Sequence, residues 1–215
     1  LLSSILMYGS YQIFIRLPDF SSAIDRALGR PFGKLLEKAT TPKKIVLRVP
    51  ILTHHYVEDV TDERDTLRRS MAVRPVFFEE QLRFIKNNGY VAVSLSDLKR
   101  ALEGRAVLPS KPIILTFDDG YRDFYTDAFP LLKKYKIKAI NYIIVNHIGR
   151  SGNLDEVMIN EMINSGLVEI GCHTLDHVYL PREKVPEVRR QITECKKQLE
   201  SRFGALVRHF AYPGG

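Results

Sequence analysis

The chain has 215 residues and a formal net charge of +7, with 45% hydrophobic and 27% charged residues. That length suffices for one domain with a large core plus a short leading segment, and the composition excludes wholesale disorder. A positive balance suits nucleic acid, an anionic membrane or an acidic cell-wall polymer, but the charge is spread out with no arginine- or lysine-rich motif, which argues against nucleic acid.

Residues 1–43 carry no chemical motif and read as an N-terminal leader or membrane-proximal segment ahead of a domain over 44–215. The opening LLSSILMYGSYQIF begins at Leu1 and is fairly apolar, but a bilayer span needs about 20 apolar residues. Two readings stay open: the tail of a signal peptide or membrane anchor, or an amphipathic helix packing on the domain. Thr40, Thr41, Pro42, Lys43 and Lys44 read as a linker.

From there the pattern alternates strand and helix. IVLRVPIL (45–52) is a strand, followed by an Asp-, Glu- and Arg-rich loop over 58–69. Residues 76–88 place Phe78, Leu82 and Ile85 on one helical face, with Gly89 as the stop. A short strand over 90–94 precedes a helix that Ser96 can cap. PIILTF (112–117) is a continuous apolar run, as for a strand buried on both faces, and KAINYIIV (138–145) is another. Residues 155–164 form a helix ended by Gly166, and 167–171 the next strand. Val188, Ile192, Cys195 and Leu199 mark one face of a long helix, and 207–212 is a last strand. Such alternation implies a parallel sheet covered by helices, or a barrel made from one. Two cysteines, Cys172 and Cys195, are no disulfide framework and do not identify the compartment. Cys172 reads as a small buried residue at a strand end rather than a metal ligand.

Two fragments carry chemistry. The first is Asp118 and Asp119 in TFDDGY, at the carboxyl end of an apolar strand, where α/β folds place their sites. Neighbouring side chains diverge, so one carboxylate can hold a metal while the other accepts a proton from water; the bland alternative is a helix cap with a first-turn acid. The second is His173 and His177 in CHTLDH. Four residues apart, they share one face of a helical turn and can reach one ion. With Asp119 they supply two imidazoles and a carboxylate, a set that suits zinc and also cobalt, nickel or iron, and three protein ligands leave a position open for water.

TFDDGY followed by HTLDH resembles the polysaccharide deacetylase family, also called the NodB-homology domain or carbohydrate esterase family four. The resemblance covers roughly residues 44–215 and includes PVFFEEQLRFIKNNGYVAVSLSDL, KPIILTFDDGY, AFPLLKKYKIKA and RHFAYPGG. It implies an α/β fold of the distorted (β/α) barrel type, incomplete at its C-terminal end because the family domain continues past Pro213 and Gly214. It further implies metal-dependent removal of N-acetyl groups from a GlcNAc-containing polysaccharide such as poly-N-acetylglucosamine, peptidoglycan or a chitin-like polymer. Asp118 resembles the general base and Asp119, His173 and His177 the ligands of a divalent metal, in the first place Zn2+. The Tyr121 N–H resembles an oxyanion donor, Thr174 a residue steadying the His loop, and Tyr212, Pro213 and Gly214 a groove wall. Many members carry an Arg in that wall that orients the base; here Ala211 and Tyr212 precede the Pro.

The leaving amine needs a general acid. PILTHHYV resembles an early strand-end motif of the poly-N-acetylglucosamine deacetylase branch, and the match falls on His55, with His54 in the place of a usual Tyr. Strand alternation sends the two side chains to opposite faces; the alternatives are an acid beyond Gly215 or a pair of solvated loop histidines. The implied partner is an N-acetylated polysaccharide, the implied location extracellular or cell-envelope associated, and the oligomeric state is not specified. Two competing functions stand beside this one: a carbohydrate-binding module that kept the fold without the chemistry, and an amide hydrolase acting on a small molecule.

Overall fold

The computed structural model describes Gln12, Ile13 and residues 47–214. The expected leader over 1–43 and linker over 40–44 therefore lie outside the described residues, apart from Gln12 and Ile13. The chain divides into two units, one of Tyr11–Arg48 and one of Leu1–Ser10 with Val49–Gly215. In the first, β1 (Gln12–Ile13) pairs antiparallel with β2 (Leu47–Arg48).

The second unit holds the sheet. Pro50 has no N–H to give a ladder, so the apolar run over 45–52 is not one strand: β3 (Ile51–His54) starts after the proline and runs on to His54. β4 (Tyr56–Val57) follows. The acidic and basic loop contains a short helix, α1 (Thr66–Met71), whose N-cap Asp65 accepts from the Arg68 N–H at 3.0 Å. β5 (Ala72–Val73) then pairs with β4. α2 (Pro75–Asn87) buries Phe78, Leu82 and Ile85, the face expected from the sequence. β6 (Val91–Ala92) leads into α3 (Leu95–Leu102), which is capped by Ser94 and not by Ser96. Ser94 and Asp97 form a reciprocal capping box, so Ser96 is already inside the helix.

β7 (Pro112–Phe117) is buried at every residue, as its apolar run requires. A π-helical turn over Phe124–Ala128 passes into α4 (Phe129–Tyr135), then β8 (Ala139–Ile143) and a 3-10 turn over Val145–His147. α5 (Glu156–Asn164), capped by Asp155, precedes β9 (Val168–Cys172). After a second 3-10 turn over Leu180–Arg182 comes α6 (Val185–Phe203), closed by Gly204 at φ 63°.

The strands pair in parallel in the order β3, β7, β8, β9, with β6 also on β7. Ile113 C=O accepts from Val93 N–H while Ile114 N–H donates to Pro50 C=O. Those groups point oppositely from the strand, so β6 and β3 lie on opposite edges of β7. The last expected strand, 207–212, is a single bridge between Phe210 and Cys172. Among the described residues the pairings make an open parallel sheet.

Side-chain alternation gives the sheet two unlike faces. Ile113, Leu115, Phe117, Ile143 and Ile170 face the helices and pack with Phe78, Leu82, Leu132 and Leu199 in the main core. The other face carries Thr53, Thr116, Asp118, Tyr142, Gly171 and His173. Thr116 Oγ1 donates to Thr53 Oγ1 at 3.1 Å, and a Cβ on Gly171 would lie 2.5 Å from Tyr142 Cε1, so both pairs share that face. Cys172 points to the helices and forms a disulfide with Cys195 across a separation of 23 residues. Sequence reading left these cysteines unpaired; their apposition depends on α6 folding back over β9. Closing a loop of that length stabilises by about 3 kcal/mol.

Candidate active site

The second face ends in a cluster of ionisable groups. β7 stops at Phe117 because Asp119 (φ 72°) and Gly120 (φ 67°) are both left-handed and turn the chain out of the sheet. Asp tolerates this region better than most residues and Gly takes it freely. The turn is fixed by Asp118 N–H donating to His54 C=O at 2.9 Å and by Leu154 N–H donating to Gly120 C=O at 2.9 Å. It aims the two carboxylates differently, as their adjacency suggested.

Asp119 is buried and its Oδ1 lies 3.3 Å from His173 Nε2 and 3.1 Å from His177 Nε2. Ligand atoms of all three residues fall within 4.8 Å of one another. The histidines do not share a helical turn, contrary to the sequence reading. His173 follows directly on β9, Thr174 (φ 68°) and His177 (φ 59°) are left-handed, and Thr174 Oγ1 accepts from His177 N–H at 2.9 Å. A hydroxyl-closed turn therefore brings the second ring back beside the first, their centroids 5.0 Å apart.

His173 Nδ1 is 3.0 Å from the Ala211 carbonyl oxygen. A carbonyl only accepts, so Nδ1 carries the proton and Nε2 is the nitrogen turned to Asp119. Asp119 Oδ1 makes no hydrogen bond of proper geometry despite its burial and those short distances. Two ring nitrogens and an orphaned carboxylate oxygen converging in this way fit a cation. The edge of a tetrahedron with ligand bonds of about 2.0 Å is about 3.3 Å, close to the spacing found. Burial pushes the Asp119 carboxyl up, but His173 and His177 outweigh it and hold the group below the ordinary carboxylate range. For His173, burial lowers the pKa, yet Asp119 and Asp118 leave it raised. Both shifts have one cause, the pairing of the Asp119 carboxylate with the imidazoles beside it.

Asp118 stands beside the cluster with Oδ1 buried and unpartnered. Burial and the Asp119 charge raise its pKa, opposed by His173, His55 and His177. His54 ends β3 and His55 lies in the bend that follows. His54 is buried in the helix layer, stacked on Phe117 at 4.8 Å, with Nε2 3.1 Å from Gln81 Oε1. The His55 charge acts on Asp118.

Tyr121 packs its ring on Tyr56 at 4.0 Å, and the Arg68 guanidinium lies over the Tyr56 ring at 4.6 Å. Its flanks are tied down by Arg122 N–H on Gly152 C=O and Leu154 N–H on Gly120 C=O. Thr174 is fully buried at the hinge of the His turn. Tyr212 is 63% exposed, edge-on to Phe210, while Pro213 is buried behind it and Gly214 lies close to the Tyr179 ring.

Several residues near the site were not read from the sequence. Asp123 Oδ2 accepts from Val57 N–H at 2.6 Å and anchors β4 beside the Asp turn. Burial pushes its pKa up to about 6. His147, half-buried, lies close enough for its charge to interact with His177 and Asp119. Gln191 is buried under the His turn. Only Gln191 left a sequence signal, as a polar residue within the apolar stripe of a helix.

A family model described as polysaccharide deacetylase matches residues 105–215. YxkH of Bacillus subtilis is 30% identical over 168 residues, 78% of this chain and 57% of that protein. The poly-beta-1,6-N-acetyl-D-glucosamine N-deacetylase of Escherichia coli K12 is 31% identical over 143 residues, 60% of this chain and 21% of that protein. This chain thus spans less than two thirds of either relative. The Streptococcus pyogenes deacetylase PplD, solved in complex with acetate, superposes with a TM-score of 0.72 at 31% identity, over 79% of this chain and 75% of that one.

Proposed function

The chain belongs to the polysaccharide deacetylase family, and from that premise we propose that it hydrolyses N-acetyl groups on a GlcNAc-containing polysaccharide and releases acetate. The observation that carries the reading is the convergence of Asp119, His173 and His177 on one point beside the unpartnered carboxylate of Asp118. A divalent ion held by those three residues, zinc by the donor set, would polarise the acetamide carbonyl and make water more acidic.

The chain's own groups supply the rest. Asp118 accepts the proton of the attacking water, and its free Oδ1 is the atom available for it. The Tyr121 N–H donates to the oxygen that gains negative charge as the carbonyl carbon becomes tetrahedral. His55 gives a proton to the amide nitrogen as the C–N bond breaks, leaving a free amine and acetate. Thr174 holds His177 in place through its side-chain oxygen. Tyr212, with Pro213 and Gly214 behind it, offers an exposed aromatic face at the rim for a sugar ring.

The E. coli relative named for poly-β-1,6-N-acetylglucosamine makes that polymer the first substrate to try, and the early histidine pair points the same way. A cell-envelope location fits such a substrate, and a disulfide fits an oxidising compartment. Among the described residues no helix is long and apolar enough to cross a membrane. The test is acetate release from poly-N-acetylglucosamine, chitin oligomers and peptidoglycan, with and without a chelator. Chelator-sensitive release from at least one polymer is expected. Glycan binding with no release would instead favour a binding module, and release indifferent to chelator would overturn the metal-dependent reading.

A further inference from the structure

We propose that α6 is the brace that holds the His173 and His177 turn in metal-binding geometry, with Gln191 as its positioning residue. The inference rests on the metal centre proposed above. The turn has two left-handed non-glycine residues, Thr174 and His177, a backbone that must be held by its surroundings.

Gln191 supplies the hold from the α6 side. Its Oε1 accepts from Leu175 N–H at 2.9 Å and Asp176 N–H at 3.1 Å, and its Nε2 donates to Asp176 Oδ2 at 2.7 Å and Glu187 Oε1 at 2.9 Å. One buried amide thus saturates four partners, three of them on the residues between the two histidines. One helical turn further on, Cys195 is joined to Cys172, the residue before His173. The same helix therefore grips the turn at its base and at its middle. The opposite side is closed by the 3-10 turn after β8: Val145 N–H donates to Thr174 C=O at 3.3 Å, Asn146 N–H to Leu175 C=O at 3.0 Å, and Asn146 Nδ2 to Asp176 Oδ1 at 2.5 Å. Neither Gln191 nor Cys195 reaches a ligand atom; each acts through the backbone that carries the ligands. Such supporting bonds set affinity by fixing ligand orientation before the ion arrives.

The probe is Zn2+ alone, titrated into the metal-free chain against a chromogenic chelator. Gln191→Met keeps the side chain's bulk and removes all four bonds; it is expected to weaken Zn2+ binding by about tenfold or more, with acetate release restored to within about threefold once zinc saturates. Gln191→Glu keeps the two acceptor bonds but turns a buried carboxylate onto those of Asp176 and Glu187, and is expected to weaken Zn2+ binding at least as much as Gln191→Met. Cys172→Ala with Cys195→Ala is expected to weaken Zn2+ as well. Affinities within twofold of wild type, with only a lowered melting temperature, would make Gln191 a general stability residue and overturn the proposal. If Gln191→Met does not fold, amide exchange on the metal-free wild type decides: Leu175 and Asp176 N–H protected like β9 supports the brace, and exchange like an open loop overturns it. Wild type that binds no zinc would sink the centre itself, whereas normal wild-type binding with unaffected variants sinks the brace alone.

Discussion

The Nδ1 of His173 donates to the carbonyl oxygen of Ala211 at 3.0 Å, and this contact decides which face of the ring meets Asp119. A bond from the strand-like segment after α6 thus sets the tautomer of a histidine at the end of β9. The contact is made by the Ala211 backbone, so it does not depend on which side chain stands at that position. His173→Gln can keep a donor to Ala211 but has no imidazole nitrogen to offer. It is expected to lose bound zinc while retaining the fold, read by metal content and circular dichroism of the same sample; full zinc occupancy would contradict the ligand assignment.

Asp118 and Asp119 separate by experiment. Asp118→Asn should keep zinc and lower turnover by about 10²- to 10⁴-fold, the usual contribution of a positioned base. Asp119→Asn should lose the metal first. Equal metal loss in both would mean that the adjacent carboxylates act as one ligand pair.

The two early histidines give a sharper contrast. His54→Phe retains stacking on Phe117 and is expected to leave acetate release within about threefold, because His54 serves packing. His55→Ala is expected to lower turnover by about 10²-fold or more. The reverse ranking in a steady-state assay would reject His55 as the acid.

Asp123 supplies a pH test of stability. Its folded pKa, about 6, lies above the ordinary carboxylate value, so its contribution to stability is fully present below about pH 4 and is lost as pH rises through about 6. Asp123→Asn keeps an acceptor for Val57 N–H and removes the buried charge. Relative to wild type it is expected to gain up to about 3 kcal/mol between pH 4 and pH 8, measured by urea unfolding. A pH-independent difference would show that the carboxyl ionises freely.

Packing on the site face hinges on Gly171 and Tyr142. Gly171→Ala places a methyl against the Tyr142 ring and is expected to cost about 1–3 kcal/mol, as overpacking does. Adding Tyr142→Ala should recover much of that cost. An additive double-mutant cycle would show that the two do not couple.

How much of this was legible in the chain differs from residue to residue. β7 could be read to its ends because six consecutive apolar residues over 112–117 have no other comfortable place than a strand buried on both faces. Strand alternation covers His54, the last residue of β3, but not His55, which lies in the bend beyond it. The His turn was misread as helical because the spacing of four suits a helix, whereas here a threonine hydroxyl and two left-handed residues produce the same proximity. The disulfide and the grip of Gln191 depend on how α6 returns over β9, a long-range relation that no local pattern encodes. Ser96 was a reasonable cap by residue type, but Ser94 has Asp97 three positions on and completes the box.

The most direct test of the account pairs two readings on one preparation: zinc content and acetate release from poly-N-acetylglucosamine, for wild type and His177→Ala. The account predicts an equimolar zinc and chelator-sensitive release in wild type, and neither in the variant. Acetate release by zinc-free His177→Ala at the wild-type rate would contradict it.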